Sequence, residues 1–136
     1  MIDDSTYQIN KEQLSFFRKQ SAQNYPIVLC MHIPIYQPED IEGNLFAIGD
    51  PRWGYDYDQE SYILERRERW PKEGNKNETL EFVIDVLACK KLIAILVGHK
   101  HSASSRKVSP SANMYRTKGS YSAAHRFIVM KKYFEE

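Results

Sequence analysis

A chain of 136 residues with 19 basic and 18 acidic side chains, net charge +1, has the length of one domain or of part of a larger one. So even a charge balance creates no field that draws nucleic acid or an acidic membrane, and neither partner is expected. A domain of this size buries about two thirds of its unfolded surface, enough for a core without disulfides or a structural metal.

In chain order, Asn10 is a plausible N-cap. The following "KEQLSFFRKQSAQ" sets Leu14, Phe17 and Arg18 at helical spacing. After Pro26, "PIVLCMHIPIY" is a short β-branched run bounded by prolines and reads as a buried strand. Residues 37–77 form a long irregular insert rich in proline and glycine, with helical character only in "QESYILERRERW". Asn77 or Thr79 can cap a second helix in which Leu80, Val83, Ile84 and Leu87 share a face. "LIAILVG" reads as a second continuous apolar strand, of the kind found in parallel sheets. Two alternating runs, "NMYRTKG" and "AHRFIVMKKYF", predict closing antiparallel strands.

Cys30 and Cys89 lie inside apolar runs, as small buried thiols do in a reducing compartment. The longest apolar stretch is too short for a bilayer. "MIDDSTYQIN" lacks the basic and apolar regions of a signal peptide. The expected location is cytoplasmic.

Both apolar strands finish at histidine: His32 directly after "IVLCM", and His99 one residue after "LIAILV". Sites in open α/β sheets form at the C-terminal ends of parallel strands, so two such ends point to one place. Neutral imidazole is a ligand for zinc, iron and manganese, and Gly98 is expected to let the backbone bend before His99 and His101. Residues two apart in extended chain project to one side, so His99 and His101 can reach one metal or two adjacent ones.

The strand ending "CMHIPIY", with His32-x-Pro34, and the strand ending "LVGHKH", with Gly98-His99-Lys100-His101, resemble the C-terminal half of the calcineurin-like metallophosphoesterases. The resemblance covers nearly the whole chain. It implies a segment, residues 1–136, of an α/β/β/α sandwich with helices packed on a mixed sheet, carrying the irregular insert at about residues 37–77. Carried over, His32 and His99 bind the second metal and His101 the first. The implied cofactors are two divalent or trivalent ions, manganese, iron or zinc. Together they clamp a phosphate ester and generate a hydroxide for in-line attack.

The other family motifs are missing. There is no Asp-x-His. Gly49-Asp50 is followed by Pro51-Arg52-Trp53, which lacks the second aspartate, and Gly43-Asn44 and Gly74-Asn75 are followed by Leu45 and Lys76 rather than histidine. The bridging carboxylate and the proposed general acid are therefore absent, and no catalytic residue is assigned. The resemblance implies a C-terminal segment, inactive alone, whose exposed sheet is covered by a missing N-terminal half or by a homodimer. The alternative is a non-catalytic, self-associating module with relic ligands. A mononuclear zinc site that adds Cys30 to the three histidines is a third reading.

Among the remaining features, His125 reads as a surface or structural residue. Trp53, Tyr55, Tyr57, Tyr62 and Trp70 either shape a substrate pocket or form a small core of their own. Arg66, Arg67 and Arg69 read chiefly as a solvated helix face, with phosphate binding as the minority reading. Asp56 and Asp58 read as loop solvation, and Tyr115 and Tyr121 as packing residues.

Overall fold

Asn10 begins the first helix by reciprocal hydrogen bonds. Its side chain accepts the Gln13 N–H at 2.8 Å, and the Gln13 side chain accepts the Asn10 N–H at 2.9 Å. In this computed structural model, which describes residues 1–39, 47–51, 53, 73–119, 121 and 125–129, the helix α1 spans Lys11–Ser21. It is followed by β1 (Ile27–Cys30), α2 (Asn77–Ala88), β2 (Leu92–Val97), β3 (Ser104–Lys107) and β4 (Asn113–Arg116). The arrangement is α/β, with a mixed four-stranded sheet.

Helix α1 buries Leu14 and Phe17, and the Phe17 ring meets Phe82 of α2 edge-on with centroids 5.3 Å apart. Arg18 reinforces the same pairing at the surface, reaching Glu81 and Asp85 at 2.7 Å each. Half-exposed pairs of this kind contribute about 0–1 kcal/mol, so burial dominates the helix contact.

Helix α2 differs from expectation in two respects. It starts at Asn77, but its N-cap is Lys76, without a side-chain cap. The capping acceptor comes from far away: the side-chain oxygen of Gln8 accepts the Lys76 N–H at 2.8 Å. The buried face is also rotated from the one expected. Thr79, Phe82 and Val86 are buried, whereas Leu80 and Ile84 are exposed. Phe82 brings the largest apolar area and takes the inward position against Phe17, which turns Leu80 and Ile84 outward.

The sheet order is β1-β2-β4-β3. β1 runs parallel to β2, with Leu29 opposite Ile95 and Cys30 opposite Leu96. β2 runs parallel to β4, with Ile95 opposite Met114. Leu29, Ile95 and Met114 join Leu14, Phe17, Phe82 and Val86 in one core.

The expected closing strands are corrected at both ends. "NMYR" is indeed a strand, but it lies parallel to β2 and pairs antiparallel with β3, the polar segment "SSRK". In the second run, the described residues 125–129 are not in a strand. Phe127 and Val129 stay exposed there, so burial does not reward the alternation. No helix among the described residues is long and apolar enough to cross a membrane.

Candidate metal centre

Strands β1 and β2 are adjacent and parallel, so their C-terminal ends carry His32 and His99 to the same edge of the sheet. The connection is direct, because the Gly98 N–H donates to the His32 carbonyl at 2.9 Å. The two imidazoles stand edge to face with centroids 5.3 Å apart and planes at 82°. A Cβ on Gly98 would come within 3.5 Å of His32 Nδ1, so the ring edge lies close over the glycine.

The unusual backbone of this loop belongs to the histidines, not to the glycine. His99 has φ 64° and His101 has φ 53°, both in the left-handed region. The Lys100 N–H donates back to the Gly98 carbonyl at 2.8 Å and closes a tight turn around His99. Left-handed residues other than glycine carry strain of order 1–3 kcal/mol, and such positions cluster at functional sites. His101 follows on this turn, its ring 5.2 Å from that of Tyr121.

Two residues that sequence reasoning passed over hold the pair in place. Asp4, buried, accepts the backbone N–H of Ile33 at 2.6 Å and that of His32 at 3.3 Å. Burial pushes its carboxyl above the ordinary value, against these hydrogen bonds and the charge on His32, which lower it. Tyr7, with φ 60° and almost wholly buried, stands between Trp53 at 5.2 Å and His99 at 5.5 Å. "MIDDSTYQIN" has neither periodicity nor a motif to signal either role; only the burial of so polar a segment reveals them.

Below the pair, Gln8 accepts from Lys76 N–H and from the Thr79 hydroxyl, and donates to Asn75. This buried network fastens the N-terminal segment to the start of α2 and thereby fixes Tyr7.

Trp53 takes the core reading rather than the substrate one: it is buried, and its Nε1–H donates to the Ala47 carbonyl at 2.8 Å. Tyr55, Tyr57, Asp56, Asp58, Tyr62, Arg66, Arg67, Arg69 and Trp70 lie outside the described residues. His125 is exposed beside Phe127, and Tyr121 is largely exposed. Cys30 and Cys89 are half-buried free thiols.

As donors, His32 and His99 form an adjacent pair of imidazoles, suited to part of a transition-metal site. Among the described residues, no group of three or more His, Cys, Asp or Glu side chains is close enough to hold an ion. Among the described residues the donors brought together are the two imidazoles of His32 and His99. Comparison of the chain with protein-family models, with curated proteins and with solved structures finds no match.

Proposed function

We propose that this chain supplies the histidine half of a metal-dependent phosphoesterase centre, and that the carboxylate half comes from a partner segment. In this reading His32, His99 and His101 are ligands, and the sheet is one of the two in an α/β/β/α sandwich. The observation that carries the proposal is the edge-to-face pair of His32 and His99 at adjacent parallel strand ends. The left-handed turn through His99 and His101 supports it, because strain is retained where geometry matters. Manganese, iron or zinc ions, when bound, would supply Lewis-acid activation of a phosphate ester and of water. The chain's own contribution is positional: Asp4 fixes the turn bearing His32, and Tyr7 backs the ring of His99.

Zinc titration of the full chain, followed through its imidazole NMR resonances, tests this. His32 and His99 should respond together, and His32→Ala should remove the response of His99. The chain alone should leave p-nitrophenyl phosphate unhydrolysed. If neither ring responds at millimolar zinc, the ligand assignment fails. That result would select the alternative, a non-catalytic, self-associating module with relic ligands.

A further inference from the structure

In the sheet order β1-β2-β4-β3, β4 lies between β2 and β3, so the connection from Val97 to Ser104 passes over the C-terminal end of β4. Two strand spacings, about 10 Å, separate the ends of that connection. Residues 98–103 make the crossing, and they carry His99 and His101. Arg116 ends β4 under it, with Val97 as its cross-strand partner on one side and Ser104 on the other. Only 5% exposed, Arg116 donates from its Nε–H to the Ser102 carbonyl at 3.1 Å.

The crossing is thus fastened on both sides of its histidines. At its start the Gly98 N–H holds the His32 carbonyl, and the Lys100 N–H closes the turn around His99. Both bonds precede His101, whose φ of 53° lies in the left-handed region and needs support from its surroundings. Arg116 supplies a hold one residue after it. The donating atom matters here more than the charge. Nε belongs to the rigid plane of the guanidinium, whereas lysine places a methylene at that point of its side chain.

We propose that Arg116 is a positioning residue for His101. Through the Ser102 carbonyl it fixes the backbone just after the left-handed turn. It thereby sets the place of the His101 imidazole at the sheet edge where His32 and His99 meet. Its bearing on metal binding rests on the proposed function; the positioning itself does not.

Three variants of the full chain separate donor from charge. Arg116→Gln keeps an N–H donor at the ε position and loses the charge, Arg116→Lys keeps the charge and loses that donor, and Arg116→Met loses both. In metal-free NMR spectra the contact between the His101 and Tyr121 rings, 5.2 Å apart, should persist in the wild type and in Arg116→Gln. It should weaken in Arg116→Lys and Arg116→Met, while the contact between His32 and His99 persists in every chain. Loss of both contacts together would make Arg116 a general support of the fold and overturns the proposal. A His101 contact equally strong in Arg116→Gln and Arg116→Met overturns it too. Under zinc, the His101 response should need about 10–100-fold more metal in Arg116→Met than in Arg116→Gln. A wild-type His101 ring indifferent to zinc removes its reading as a ligand, and the metal-free comparison then decides the positioning by itself.

Discussion

Asp4 and Ile33 are joined at 2.6 Å, the buried carboxylate accepting the backbone N–H just beyond His32. A side chain near the N-terminus thus fixes the turn of a histidine at the end of β1. Asp4→Ala leaves the two amides of His32 and Ile33 without this acceptor in a buried setting and should destabilise the fold by about 1–3 kcal/mol. Asp4→Asn retains a carbonyl oxygen and should lose less. Urea denaturation of the three proteins gives the order, and an Asp4→Ala protein as stable as the wild type would refute the role.

The same carboxyl makes stability depend on pH. Burial raises its folded-state value above the ordinary 3.8, so the folded chain holds this proton to higher pH than the unfolded chain does. The stability it contributes is fully present below the unfolded value and is lost as pH rises through the raised folded value. Asn does not titrate. The stability of the wild type relative to Asp4→Asn should therefore fall as pH rises from below 3.8 through that window. Denaturation midpoints measured across it check the sign, and a difference that grows with pH would contradict the assignment.

Gln8 occupies the centre of a buried network linking the N-terminal segment to α2. Gln8→Leu fills similar space but strands the Lys76 N–H and the Thr79 hydroxyl, at a cost of about 1–3 kcal/mol. Since Tyr7 is its neighbour, the His99 resonances should shift as well. Calorimetry together with imidazole NMR measures both, and an unshifted His99 would separate the network from the site.

Much of this architecture is legible in the sequence, and the reasons are local. Asn10 with Gln13 is a capping box whose chemistry lies within one turn, and both apolar strands announce themselves by composition. That His32 and His99 would meet followed from two parallel strand ends. The face of α2 was not legible: Leu80 and Ile84 fit the helical period as well as Thr79, Phe82 and Val86, and only contact with Phe17 decides between them. Its cap lay out of reach for a similar reason, since Gln8 is distant in sequence. β3 has no apolar pattern, because its side chains are mostly exposed and only its backbone takes part in the sheet. Asp4 and Tyr7 were invisible because their importance depends wholly on burial by distant parts of the chain.

Gly49 offers a steric test. Its φ of +80° suits glycine, and a Cβ there would fall 2.8 Å from Val83 Cγ2 on α2. Gly49→Ala adds left-handed strain to that collision and should destabilise by about 1–3 kcal/mol. Pairing it with Val83→Ala should recover the steric part and leave the backbone part. A double-mutant cycle by urea denaturation measures the coupling, and strict additivity would place Val83 elsewhere.

The pairing of Ile27 with Leu92 joins positions far apart in the sequence. Closing a loop grows more costly only slowly with its length, about 0.6 kcal/mol for each doubling. The strand ends that present His32 and His99 are therefore nearly indifferent to how much chain intervenes. What fixes that stretch is burial and not closure: Ala47, Ile48, Asp50 and Trp53 are all buried, so their places are held by the core rather than by the length of chain around them.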